Sequence, residues 1–299
     1  MTARVEYREA TCKSALNKVE DMTFRWSLNP YRGCVHGCHY CFARRYHAYY
    51  DLNPNDGFTG IVFVKKNVAT VLREELWLPR WQRETIAIGT ATDPYQPIEG
   101  KYRLTRGCLE AIADRRNPMS LITKGPMVVR DVDVLASIAA SASCTVCVSI
   151  TTLDADLARR LEPTTAPPAS RLRAVNMLAK AGVRVGVLLA PVVPGITDDG
   201  PSMTAVAREA AANGASFLHG RTLQLRDGTR DHFMAYLEQD FPVLRQPYGV
   251  LYRQPDPPRD VRRGIELRVA DLRARYGLSE REVRDEQRRP QQMEMVLGA

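Results

Sequence analysis

Three cysteines close together on a short stretch, Cys34, Cys38 and Cys41, stand in the run Asn29-Pro30-Tyr31-Arg32-Gly33-Cys34-Val35-His36-Gly37-Cys38-His39-Tyr40-Cys41. Their spacing is C-x3-C-x2-C. Soft thiolate donors select iron–sulfur clusters, zinc or copper(I). No fourth cysteine lies nearby in sequence, so a [4Fe–4S] cube on this loop would keep one iron open to a non-protein ligand. Two other readings use the same loop. His36, His39 or His47 would complete a Cys3His zinc tetrahedron in a non-catalytic zinc or DNA-binding module. An electron-transfer protein would need a further Cys or His to ligate a cluster fully. A disulfide suits an odd, clustered set of thiols poorly, and the first residues lack the apolar run of a secretory signal.

The elements that must position this loop follow an alternating pattern. Short β-branched or apolar runs at Phe24–Leu28, Thr85–Gly89, Ser120–Thr123, Thr145–Ile150, Val183–Ala190 and Ala215–Leu223 read as strands. Helical periodicity fills the gaps at Leu104–Asp114, Val132–Ser141, Asp154–Leu161, Ser170–Ala181 and Pro201–Asn213. Asp131, Asp154 and Ser170 are expected as N-caps, with Gly182 and Gly214 as C-terminal stops. Such βα units predict an α/β fold with a parallel sheet, an open partial (β/α)6 barrel of TIM type. Chemistry in such a fold sits at the C-terminal ends of the strands, and the cysteine loop follows the first of them.

A chain of 299 residues, 44% hydrophobic, can bury one large core. The expected division is a core over residues 1–250, with its cysteine loop at 30–45. Residues 251–299 then form a Pro-rich linker (Gln254-Pro255-Asp256-Pro257-Pro258), a basic helix near Val261–Tyr276 and a polar tail. No apolar run is long enough to span a bilayer, and the expected location is cytoplasmic. The net charge of +8, with an arginine-rich stretch from Arg259 to Arg289, permits a polyanionic partner.

Polar or tight segments close the later strands: Gly89-Thr90-Ala91-Thr92-Asp93-Pro94-Tyr95-Gln96-Pro97-Ile98-Glu99, Thr123-Lys124-Gly125, Ser149-Ile150-Thr151-Thr152 and Ala190-Pro191. Together with Leu161-Glu162-Pro163 and the Asn-Pro-Tyr-Arg-Gly-Cys approach, this ordered set resembles the spore photoproduct lyase-related branch of the radical S-adenosylmethionine (SAM) superfamily. The resemblance runs from about residue 10 to residue 250. It implies a [4Fe–4S] cluster on Cys34, Cys38 and Cys41, with SAM on the open iron, cleaved by one electron to methionine and a 5′-deoxyadenosyl radical. It places Tyr40 near the adenine, and Thr92 and Asp93 at the SAM amino group. Lys124 and Ser149 fall at SAM-contacting positions, where an ammonium suits a carboxylate and a hydroxyl suits carboxylate or ribose. Ala190 lines the nucleoside pocket. An external electron donor of flavodoxin or ferredoxin type is implied as well.

One departure bears on the substrate. The lyase carries a hydrogen-donating cysteine near the end of its second strand, whereas Gly89 to Asp93 contains no thiol. A threonine O–H bond is too strong to replace it, which favours another substrate. Nucleic acid leads, with a peptide or small molecule as the alternative. Cys144 and Cys147, at i and i+3 in a strand, should point to opposite faces, which defeats a redox C-x-x-C reading. Tyr95, Gln96 and Glu99 are the candidate catalytic residues, with Arg103, Glu162, Arg171, Arg221 and His219 as further polar candidates; Glu162 is also expected to pair with Arg171 or Arg173. Gln292-Met293-Glu294-Met295-Val296 is similar to the peptides that dock on the bacterial sliding clamp. A monomer is expected.

Overall fold

The computed structural model describes residues 5–20, 22, 24–48, 53, 56–226 and 228–281. Its strands in chain order are β1 (Glu6–Ala10), β2 (Leu16–Lys18), β3 (Trp26–Leu28), β4 (Tyr31–Arg32), β5 (Ile61–Lys65), β6 (Ile86–Ile88), β7 (Met119–Thr123), β8 (Cys144–Ser149), β9 (Arg184–Val192) and β10 (Phe217–Thr222). The larger sheet has the order β10-β9-β8-β7-β6-β3-β2. From β3 to β10 every pairing is parallel and follows chain order, and β2 adds an antiparallel edge. The sheet does not close. It is the open six-stranded α/β barrel expected from the alternation, with each parallel pair joined through helices. The smaller sheet, β1-β5-β4, was not legible in the sequence; β4 in it carries the chain into the cysteine loop.

The helices are α1 (Arg45–Ala48), α2 (Asp56–Gly60), α3 (Val68–Trp77), α4 (Glu99–Tyr102), α5 (Leu104–Arg115), α6 (Val132–Ser141), α7 (Ala155–Leu161), α8 (Pro168–Lys180), α9 (Gly200–Ala212), α10 (Thr229–Asp240), α11 (Pro242–Leu251) and α12 (Arg259–Tyr276). Their apolar stripes explain their placement. In α5, Leu104, Cys108, Leu109, Ala111 and Ile112 are buried at helical spacing. Two of the three expected N-caps fail. Asp154 caps α7 by accepting from Asp156 N and Leu157 N. The Asp131 side chain caps nothing, because arginines 106 and 130 occupy its carboxylate. Helix α8 starts before Ser170, because Pro168 takes the first turn, where its missing N–H costs nothing.

Alternation along the strands separates two apolar layers. Leu121, Val146, Val148, Val187 and Leu218 pack outward in the main core beneath the helices. Ile122, Cys147, Leu188, Ala190 and Phe217 form the inner layer, inside the barrel. Cys144 joins the outer core and Cys147 the inner one, so the two thiols do part to opposite faces. His219, two residues from Phe217, shares the inner side of β10.

The inner layer is tight. A Cβ on Gly186 would lie 2.4 Å from the Phe217 ring. Gly186→Ala is therefore expected to cost about 1–3 kcal/mol through overpacking, measured as a lowered urea midpoint with an unchanged slope.

The basic helix α12 packs on the barrel. Ile265, Val269 and Leu272 are buried, and Val269 fills the space that Gly220 of β10 leaves open. The Pro-rich stretch before it is pinned rather than loose: Leu225 N donates to Pro255 O at 2.8 Å. The sliding-clamp-like peptide, Gln292 to Val296, lies outside the described residues. No helix among them is long and apolar enough to cross a membrane.

Candidate active site

Gly33 sets the entry to the cysteine loop. Its φ of +81° belongs to the left-handed region, and a Cβ there would lie 2.3 Å from Ile61 O. Beyond it, Cys34 and Cys38 are buried and Cys41 is half-buried; none of the three forms a disulfide. The loop is held by side chains that the sequence reading passed over. Arg44, almost fully buried, donates to Gly37 O at 3.1 Å and Cys38 O at 3.3 Å. Thr229 of α10 donates to Cys41 O at 3.1 Å. Asn29 accepts from Ala91 N at 2.8 Å, joining the approach to the loop after β6. The arginine and asparagine stand within two turns of the cysteines in sequence, yet nothing in spacing separates a buried brace from a solvated side chain.

The segment after β6 turns out to be a brace for the loop. Thr92 Oγ1 donates to Gly33 O at 2.6 Å, and Gln96 Nε2 donates to the same carbonyl at 3.2 Å. Gln96 Oε1 accepts from Val35 N at 3.3 Å. Asp93 accepts from Tyr95 N, Thr123 Oγ1 and Lys124 N at 2.7–2.8 Å and faces His36 Nδ1 at 3.4 Å. Burial opposes the Asp93 charge, but His36 and these donors outweigh it and hold the carboxyl at about 2. The expected ammonium acceptors are thus engaged within the protein.

Glu99 and Tyr95 are tied into buried hydrogen bonds within the protein. Glu99, fully buried, accepts from Tyr31 Oη at 2.5 Å, Thr105 N at 3.0 Å and Arg130 at 2.6 Å. Tyr95 Oη donates to Asp131 Oδ2 at 3.1 Å. Both belong to a structural network with Arg106 and Arg130. Arg103 is exposed between α4 and α5, and Arg221 is exposed and bonded to Gln224.

Lys124, Ser149 and Ala190 stand on neighbouring strands near their C-terminal ends. Lys124 follows β7 two residues after Ile122, Ser149 ends β8 two residues after Cys147, and Ala190 itself belongs to the inner layer. All three therefore share the barrel's inner face at its C-terminal end. The Lys124 ammonium lies 5.5 Å from the centre of the Tyr40 ring. Burial opposes its charge, but Cys38 and Glu162 outweigh this and raise it above the usual lysine value. Tyr40 donates to Glu162, which accepts from Arg171 at 2.5 Å; Arg173 instead bonds Ser170.

The donor set fits an iron–sulfur cluster better than zinc. His36 faces Asp93, His39 stacks on Tyr236 and meets His232 at 3.1 Å, and His47 packs against Phe58. His39 and His47 turn to these partners, whereas His36 also hydrogen-bonds Cys34 and so sits between that thiol and Asp93. Burial pushes the Cys38 and Cys41 thiols up, so holding them as thiolates takes the positive charge of bound metal.

Residues 28–205 match the Radical SAM superfamily. The chain belongs to that superfamily. Radical SAM enzymes use a [4Fe–4S] cluster and SAM, and they typically draw on an external electron donor. A Mycobacterium tuberculosis protein is 42% identical over 279 residues, covering 92% of this chain and 82% of its own. A Methanocaldococcus jannaschii protein is 26% identical over 198 residues, 66% of this chain and 72% of its own. Among solved structures, spore photoproduct lyase with bound AdoMet and dinucleoside spore photoproduct superposes with a TM-score of 0.69 at 13% identity. That match covers 90% of this chain and 79% of the lyase. This likeness shows the radical SAM fold.

Proposed function

We propose that this radical SAM enzyme holds its cluster on Cys34, Cys38 and Cys41, binds SAM at Tyr40, Lys124, Ser149 and Ala190, and acts on a nucleic-acid substrate. One observation carries the reading of the site: a buried three-thiol loop beside Lys124, Ser149 and Ala190 on one inner face. A cluster on these cysteines, with SAM beside it, would supply one-electron reductive cleavage of the SAM C5′–S bond and hydrogen-atom abstraction from substrate, with methionine and 5′-deoxyadenosine as the products. The protein's own part is to orient and to exclude water. Lys124 is placed for the SAM carboxylate, Ser149 for carboxylate or ribose, and Tyr40 and Ala190 for the nucleoside. Thr92 and Asp93 contribute by fixing the loop and the Lys124 backbone.

The nucleic-acid assignment rests on charge and position. Arg221, Arg226, Arg253, Arg259 and Arg263 are exposed on segments joined around the C-terminal end of β10, at the barrel mouth. The absence of a thiol between Gly89 and Asp93 argues against the lyase's own hydrogen-return route. In this reading residues 1–250 are the catalytic core and 251–299 an extension, the protein is a cytoplasmic monomer, and Gln292 to Val296 is offered as a clamp-docking peptide.

The test is anaerobic reconstitution, dithionite reduction with SAM, and deoxyadenosine measured with ultraviolet-irradiated DNA, intact DNA, peptide or no addition. Stimulation by DNA that weakens steeply with salt supports the reading; equal yields in all arms count against a nucleic-acid substrate. Within the same assay, Lys124→Met should keep full iron content and weaken SAM binding about tenfold, by loss of one charge-assisted contact, read by calorimetry.

A further inference from the structure

We infer that Glu162 is a positioning residue for SAM, acting through Tyr40, Lys124 and Ser149 rather than by touching the ligand. The inference rests on the site assignment proposed above and goes beyond it, because no residue of the segment after α7 was placed there.

The segment Leu161–Thr165 lies along the cysteine loop. His39 N donates to Leu161 O at 3.0 Å, Thr164 N donates to His36 O at 3.4 Å, and the Thr164 hydroxyl donates to Val35 O. Glu162 is fully buried in the middle of this clasp. One carboxylate oxygen accepts from Tyr40 Oη and from Thr151 Oγ1 at 3.3 Å. The other accepts from Arg171 at 2.5 Å and from Thr165 Oγ1 at 3.2 Å. Arg171 in turn donates to Ser149 O at 3.0 Å and to Ala166 O at 2.9 Å.

One carboxylate thus fixes one side chain assigned to SAM directly and, through Arg171, the backbone of a second. It holds the Tyr40 ring by its hydroxyl, and that ring is the one the Lys124 ammonium lies over. Through Arg171 it also holds the backbone at Ser149. A buried charge is retained only when paired and fully hydrogen-bonded, and here both oxygens are satisfied. A brace for the fold alone would need no more than the Arg171 pair. The phenol at position 40 adds a second anchor, which satisfies a buried hydroxyl and also fixes the orientation of the ring beside Lys124. Holding several contact groups in register is how a site lowers the entropic cost of binding.

The test uses two variants of the full chain, Tyr40→Phe and Glu162→Gln, reconstituted anaerobically beside the wild type. Tyr40→Phe removes only the hydroxyl and is the milder of the two. Expected for both is wild-type iron content with SAM affinity reduced about tenfold, the loss of one hydrogen bond to a charged group. The SAM-induced shift of the reduced cluster's electron paramagnetic resonance signal should need about tenfold more SAM than in the wild type to reach half its full extent. Unchanged affinity and an unchanged SAM-induced shift in Tyr40→Phe would overturn the inference. So would failure of either variant to load iron, which would make Glu162 and Tyr40 scaffolding for the loop. A wild type that loads iron yet binds no SAM would instead overturn the site assignment.

Discussion

Replacing Cys38 by alanine should empty the site of its cluster and end deoxyadenosine formation. Cys38 is buried, 6% exposed, and contributes one of only three thiols on the loop. His39 is stacked on Tyr236 and meets His232, and His36 is held between Cys34 and Asp93. Iron per reconstituted chain is expected to fall from about four toward zero, because the [4Fe–4S] cube needs all its thiolate anchors. Deoxyadenosine yield should fall by at least about a thousandfold, beyond the ten- to hundredfold typical of losing an outer-shell partner. Cys108→Ala is the control. Its thiol is equally buried but lies in the core under α5, so it should lose about 1 kcal/mol by cavity formation and keep the cluster. A Cys38→Ala chain that holds four irons and makes deoxyadenosine at the wild-type rate would remove the cysteine loop from the chemistry.

The sequence made the barrel legible because its signals are local and repeated. Each parallel strand is a short β-branched run bounded by turn residues, and each helix carries an amphipathic period. The cysteine triplet was legible for the same reason, since its meaning lies in residue type and spacing. The smaller sheet escaped notice because β1 and β5 pair across more than fifty residues, and Glu6–Ala10 is largely exposed. Helices α10 and α11, which cover the loop, follow the last strand, where no βα rhythm remained to announce them. Side-chain direction was the larger gap. A threonine, an aspartate and a glutamine at a strand end look alike as ligand contacts or as braces, and only their partners distinguish the two. Thr92 and Gln96 turn to Gly33 O, and Asp93 turns to Thr123, Lys124 and Tyr95.

Glu99 puts that distinction to a measurement. A buried acid in the segment that follows a barrel strand has the profile of a proton-transfer residue, and removing such a group typically costs 10²–10⁴ in rate with little change in stability. The structure predicts the reverse. Tyr31, the Thr105 amide and Arg130 all converge on this carboxylate. Glu99→Ala would leave the Tyr31 hydroxyl buried without its acceptor and strip Arg130 of one of its two carboxylates, leaving it Asp131 and the carbonyl of residue 99. Breaking a buried pair from one side costs about 3–5 kcal/mol, so the urea midpoint should drop sharply. Glu99→Gln, which keeps an acceptor oxygen and the shape, should recover part of that loss. Deoxyadenosine formed per folded, iron-loaded chain should stay near the wild-type value in both, because the Glu99 carboxylate is already engaged by Tyr31, Thr105 and Arg130. Full stability with lost turnover would return Glu99 to the catalytic set. Lost stability with intact turnover would show that the barrel positions its cluster loop through a buried network whose members only resemble catalytic residues in sequence.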